Sequence, residues 1–202
     1  MTSSYVPDEE DVKNFAVATL VFGVSFAAFF QEFDPRGLAL YTALSGLVLV
    51  TREFGFRTCA QWMDAYVDNN LSSSGAMTSI LGAFLSIITQ LPIILLFPLW
   101  NEAESEKYEQ WGKSTDSTWM KRKYWLYSCG IIALLAGSTV ARGLELTTLA
   151  RMYAITSFFF LLPFDYEGLP GEELDGAFIL RWSGFTWLIF MGLTLVFHAL
   201  TF

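Results

Sequence analysis

The feature that most constrains this chain is the recurrence of long runs with no charged side chain. Residues 14–31 (NFAVATLVFGVSFAAFFQ), 69–101, 124–141 (YWLYSCGIIALLAGSTVA) and 182–202 (WSGFTWLIFMGLTLVFHALTF) contain no Asp, Glu, Lys or Arg. About 20 apolar residues cross a bilayer as a helix. Hydrocarbon admits only helices and closed barrels, because every main-chain polar group must be satisfied within the protein. The strict alternation of barrel strands is missing from these runs. The expected fold class is therefore all-α, a polytopic membrane protein with about five or six transmembrane helices. It is read as a single membrane domain over residues 1–202, with an acidic tail at 1–11 and a charged loop at 101–123, located in the cell membrane as a multi-pass protein with lipid as its first partner. Composition agrees: the chain is 53% hydrophobic and 16% charged, whereas soluble domains sit near 45–50% and about 25%.

Along the chain, a first span is expected from about Val12 to Phe30. The turn QEFDPR follows, with Pro35 as the breaker. A second span starts near Gly37 and continues past Val50 into charged sequence. The stretch QWMDAYVDNNLSSSG reads as an interfacial exit, with Trp62 and Tyr66 as headgroup anchors. Residues 76–100 are long enough to span, yet Pro92, Pro98 and the polar Gln90 interrupt them, so the segment is read as broken or re-entrant. The re-entrant path gathers more basic residues on the side of Lys121-Arg122-Lys123, which the positive-inside rule assigns to the cytoplasm. Further spans are expected at 124–141, at Thr147–Leu162 and from Leu174 towards Phe202. Gly130, Gly137 and Ser138 stand at small-residue spacing, which favours close helix packing. Phe158, Phe159 and Phe160 are read as facing lipid or core. Trp100, Trp111, Trp119, Trp125, Trp182 and Trp187 are read as mostly interfacial. The acidic start MTSSYVPDEEDVKN lacks a basic signal-peptide n-region, so the first span is expected to remain in the protein.

Twenty acidic residues against twelve basic give a net charge of −8. The acids crowd into PDEED, NEAESEKYEQ and EGLPGEELDG, which argues against nucleic acid and anionic headgroups as partners. Halophiles carry surfaces of this kind, and an acidic loop set with no ecological meaning fits equally. Cys59 and Cys129 lie in or beside apolar segments and are expected to be buried free thiols. The one histidine, His198, lies in an aromatic helix near the end of the sequence and is read as an interface residue. One histidine and two separated cysteines exclude most metal and nucleophile chemistry.

Against that background TREFGFR (51–57) is anomalous. Charge inside a membrane span is costly and by default marks function. With histidine at 52 and 56 the stretch would read H-E-F-G-H, the helix on which two histidines at i and i+4 bind zinc and the glutamate between them activates the metal-bound water. A second segment, FFFLLPFDYEGLPGEELDGAFILRWS (158–183), resembles the N-x-L-P-x-x-P-L-D-G segment of the site-2 proteases, which are intramembrane zinc metalloproteases. Leu162-Pro163 matches its L-P and Leu174-Asp175-Gly176 its L-D-G; the asparagine is lost and PGEE is inserted before Leu174. The opening span is similar to that of the compact versions found in halophilic archaea. The resemblance covers about residues 11–200 and is poor over 66–122. It implies that positions 52, 56 and 175 are former metal-ligand positions and that Glu53 is a vestigial general base.

The departures then govern the expected chemistry. Arg52 does not deprotonate and cannot coordinate zinc, and Phe56 has no lone pair. Glu53 and Asp175 alone do not make a tetrahedral site. The expected protein is a pseudoprotease with no intact catalytic residue and no cofactor, on a site-2 protease-like scaffold that binds or scaffolds a client transmembrane helix or membrane-protein partner. A buried carboxylate that has lost its metal needs another cation, so Arg52 is expected to pair with Asp175, or with Glu53. Against this stands a reading in which Arg52 and Arg57 snorkel to the interface and Asp175 caps a helix in a wet loop. Two other functions are carried: an active intramembrane metalloprotease with a remodelled zinc site, and a small transporter or channel in which Arg52, Glu53, Arg57 and Asp175 line an ion path.

Overall fold

A computed structural model describes residues 8–63, 65–97, 99–104, 116–163 and 174–201. The chain is mostly helical, with α1 (Glu9–Phe29), α2 (Pro35–Trp62), α3 (Ser73–Thr89), α4 (Asp116–Gly143), α5 (Thr147–Phe160), α6 (Asp175–Trp182) and α7 (Gly184–Thr201). A two-stranded antiparallel ribbon joins β1 (Tyr66–Leu71) to β2 (Leu99–Glu104), with Asn69 opposite Asn101. Among the described residues two helical stretches, Glu9–Phe29 and Lys121–Gly143, are long and apolar enough to cross a membrane.

Local chemistry sets the element boundaries. Asp8 caps α1 by accepting from the Asp11 amide at 2.7 Å, so the helix begins inside the expected acidic tail. Asp34 caps α2, and Pro35 takes the first helical position, where its missing N–H costs nothing. α1 and α2 form an antiparallel hairpin that closes tightly at Gly23; a Cβ there would lie 2.3 Å from the Thr42 hydroxyl. α2 has 28 residues, about 42 Å of helix, so its charged second half belongs to the same rod as its apolar first half. The expected last helix is instead two. Ser183 adopts extended backbone, and its hydroxyl accepts from the Thr186 amide, ending α6 and starting α7. α5, at 14 residues, is about 21 Å long and shorter than a hydrocarbon core of about 30 Å.

Residues 76–100 double back. α3 descends to Thr89, Gln90 turns the chain with left-handed backbone (φ 56°), and an extended segment retraces the helix. Extended backbone beside an apolar helix needs partners. α3 supplies them through a stripe of small residues: Ser79 Oγ accepts from the Phe97 amide at 3.0 Å, Ser86 Oγ donates to the Leu91 carbonyl at 2.7 Å, and Gly82 makes room for Leu95. Pro92 contributes no N–H to satisfy. Gly75 is the tightest point, since a Cβ there would stand 1.9 Å from the Phe97 carbonyl oxygen. Gly75→Ala is therefore expected to lower stability by about 1–3 kcal/mol, read as thermal unfolding in detergent; an unchanged melting temperature would mean that this segment is not docked on α3.

Two expectations are corrected here. The interfacial exit and the first residues of the charged loop are the two strands of a ribbon, because alternation puts Val67 and Asn69 on one face opposite Asn101 and Ala103, all buried. Cys59 and Cys129 are not free thiols: they form a disulfide joining α2 to α4, with Cα atoms 6.5 Å apart. Trp187 is half-buried, and its indole donates to the Leu161 carbonyl at 2.8 Å. Trp62, Trp125, Trp182 and Tyr66 are exposed. Trp111, the side chains of Trp100 and Trp119, and the PGEE insertion lie outside what the structure describes. The core lies among α1, α2, α4, α5 and α6, and Phe159 and Phe160 face into it.

Candidate functional site

The site lies where α2, α4, α6 and the ribbon converge. On α2, residues 52 and 56 stand one helical turn apart on the buried face, and both side chains are fully enclosed. Asp175 opens α6 and is 1% exposed. It does not cap the helix in a wet loop: Leu174 is the cap residue and no side chain caps there. α6 approaches the end of α5 so closely that a Cβ on Gly176 would fall 2.0 Å from the Leu161 carbonyl oxygen. α4 leaves space through Gly130, whose missing side chain faces Arg52, Phe56 and Asp175.

Arg52 does not snorkel. Its Nε donates to Asp175 Oδ2 at 3.1 Å and its Nη2 to Asp175 Oδ1 at 2.5 Å, a bidentate pair between groups each 1% exposed. Its Nη1 donates to the Asn101 side-chain oxygen. The guanidinium also lies 3.9 Å from the centre of the Phe160 ring, with Phe56 at 5.6 Å. Burial of a cation and an anion is costly unless their hydrogen-bonding capacity is met; here the planar fork of arginine meets both carboxylate oxygens, and aromatic faces cover the remainder.

Glu53 is not the partner of Arg52. It pairs with Arg57 one turn later on α2, and Arg57 Nη2 reaches back to Asp11 Oδ2 of α1 at 2.9 Å. The ribbon joins the two ion clusters. Asn101 Nδ2 donates to Glu53 Oε2 at 3.0 Å and to the Asn69 side-chain oxygen, while Asn69 Nδ2 donates to Glu53 Oε1 at 3.1 Å. Tyr127 of α4 fixes the ribbon by donating to the Asn101 carbonyl at 2.8 Å. Asp11 Oδ1 accepts from the Asn69 amide at 2.6 Å and Asn14 donates to the Asn69 carbonyl at 2.8 Å, which closes the outer edge of β1 at that residue.

Asn69, Asn101, Asp11, Tyr127 and Phe160 are thus site residues that sequence reasoning passed over. Asparagine is depleted in strands, so paired asparagines in a buried ribbon were the available signal, but it required seeing the ribbon first. His198 lines an apolar cleft with Phe29, Pro92 and Phe159, none of which belongs to this network. Gly137 packs on the Tyr153 ring and Ser138 donates to the Ala150 carbonyl at 3.1 Å, so these small residues seat α5 on α4.

The donor set does not fit a zinc ion. Arg52 and Phe56 offer no lone pair, both oxygens of Asp175 accept from Arg52, and Glu53 is engaged by Arg57 and two asparagines. Among the described residues no three His, Cys, Asp or Glu side chains come together as a metal-holding group. The arrangement can hold charge in place and brace helices. No family model matches the chain, no curated protein matches it, and no solved structure matches it.

Proposed function

We propose that this chain is a non-catalytic, multi-pass membrane protein on a site-2 protease-like scaffold, serving to bind or scaffold a transmembrane partner. The observation that carries the reading is the buried Arg52–Asp175 pair. It joins one former metal-ligand position of the resemblance to another, with a fixed cation between them. A hydrolase of this type needs a metal-bound water and an open coordination position, and here the guanidinium takes up that role's place with no exchangeable ligand.

Membrane embedding is supported by the outer faces as well as by α1 and α4. Ile80, Leu81, Phe84 and Ile88 of α3 and Phe185, Leu188 and Val196 of α7 are all exposed. Continuous apolar surface of this extent is an aggregation hazard in water and ordinary against lipid. In the proposed arrangement α1, α2, α4 and α7 cross, and α3 with its returning segment is re-entrant.

Elemental analysis of protein purified in mild detergent tests the reading against an active metalloprotease. Zinc well below one ion per chain is expected, with no cleavage of a membrane-embedded peptide. Stoichiometric zinc that is lost in Asp175→Ala would overturn it. Ion flux through the purified protein in liposomes, abolished by Arg52→Gln, would instead support a transport function.

A further inference from the structure

The net charge of −8 is unevenly spread. Residues 117–143 and 176–202 contain no Asp or Glu, yet they carry Lys121, Arg122, Lys123 and Arg142 on α4 and Arg181 on α6. The fold gathers the cations of the two helices at one place. Lys123 Nζ lies 5.7 Å, and the Arg181 guanidinium carbon 5.8 Å, from the centre of the same ring, that of Phe178. Asp175 stands away from this cluster, at the opposite end of α6 and facing Gly130. The stretch of α4 long and apolar enough to cross a membrane begins at Lys121. In the proposed arrangement the cluster therefore lies at the headgroup end of that span. Aromatic side chains mark the same level: Trp125 is 50% and Trp182 40% exposed, and the Tyr124 ring lies 5.2 Å from the first and 6.5 Å from the second. Exposed indoles of this kind settle at the membrane–water boundary.

We infer that Lys121, Lys123 and Arg181, flanked by Trp125 and Trp182, form a binding site for the headgroup of an anionic phospholipid. This goes beyond the partner-binding reading and does not depend on it. Each basic side chain at the membrane surface attracts the lipid phosphate, and the guanidinium can meet two of its oxygens at once. The long stems of lysine and arginine lie along apolar surface while their charged ends stay at the headgroup level. The acidic loops disfavour such headgroups over the chain as a whole, so the attraction is a property of this corner alone. Behind the site Phe178 stacks on Tyr127 with ring centres 4.0 Å apart, and Tyr127 holds the Asn101 carbonyl. A bound headgroup thus braces the contact between α4 and α6 at the end opposite Asp175.

Native mass spectrometry of the full chain, released from nanodiscs holding equal amounts of phosphatidylglycerol and phosphatidylcholine, tests the site. The lipid retained on the protein is expected to favour phosphatidylglycerol by roughly tenfold, and the preference should shrink in nanodiscs equilibrated at high salt. Lys123→Gln/Arg181→Gln should abolish it. Lys121→Gln changes an exposed side chain, leaves the Phe178 contacts in place and should weaken it, which keeps the test open if the double variant fails to fold. Arg142→Gln, exposed at the far end of α4, should leave it unchanged. Equal retention of the two lipids, a preference that survives Lys121→Gln undiminished, or one that falls as far in Arg142→Gln would overturn the site. Displacement of the retained phosphatidylglycerol by millimolar inorganic phosphate would overturn the lipid as its occupant.

Discussion

Arg52→Ala and Asp175→Ala are each expected to destabilise the protein by about 3–5 kcal/mol, because each leaves an uncompensated charge in a fully buried site. The double replacement should cost much less than the sum, since the charge left behind by one change is removed by the other. The reading comes from chemical unfolding in detergent, followed by tryptophan fluorescence. Purely additive losses would mean that the two groups do not interact. Arg52→Lys should behave nearly as badly as alanine: an ammonium cannot match both carboxylate oxygens at once and stacks poorly between Phe56 and Phe160. Replacing both residues by apolar side chains of similar volume is expected to be close to neutral, because the pair's attraction only roughly offsets the cost of burying it. In that variant Asn101 loses the donor from Arg52 Nη1, so any residual loss should map to the ribbon.

Removal of the Cys59–Cys129 bond is the second large effect. The bridge closes a sequence separation of 70 residues. Closing a loop of that length restricts the unfolded chain enough to contribute about 2–4 kcal/mol. Cys59→Ser/Cys129→Ser, or the native protein under reductant, should melt correspondingly earlier, and the oxidised and reduced forms should differ in mobility on a non-reducing gel. A melting temperature indifferent to reductant would mean that the bond does not form. The location matters as much as the magnitude. Cys129 precedes Gly130, which faces Arg52 and Asp175, so the bond holds α2 and α4 together next to the ion pair. It also bears on orientation. Disulfides persist on the oxidising side of a membrane, whereas Lys121-Arg122-Lys123 lies a few residues earlier on the same helix and favours the cytoplasm. Alkylation of intact cells with a membrane-impermeant reagent after reduction decides between the two rules.

The helical class was legible because it depends on composition over tens of residues. Runs of apolar side chains without charge have few stable solutions, and α1, α4 and α7 follow from them. The turn at Pro35 was local as well, whereas the helix starts were expected near Val12 and Gly37 and the caps at Asp8 and Asp34 emerged only in the structure. The ribbon was not legible. β1 and β2 are separated by α3 and its returning segment, and YVDNNL is too polar and too short to announce a strand before its partner lies beside it. The break at Ser183 was hidden by continuous hydropathy, which is blind to one residue of extended backbone.

The site divides in the same way. Charge at 52, 53 and 57 within an apolar helix was visible at once, as was the lack of lone pairs at 52 and 56, since these are properties of single side chains. Which carboxylate each arginine takes was decided only by the fold. Arg57 is four residues from Glu53 and helical geometry alone brings them together. Arg52 meets Asp175 across 123 residues of chain because α6 begins against the end of α5, where Gly176 allows the approach and Gly130 leaves the space. Residue identities thus determined the membrane-like helices and the lack of lone pairs at positions 52 and 56; the tertiary structure decided the ribbon, the disulfide and the pairing of charges, because each depends on which distant surfaces are brought within a few ångströms.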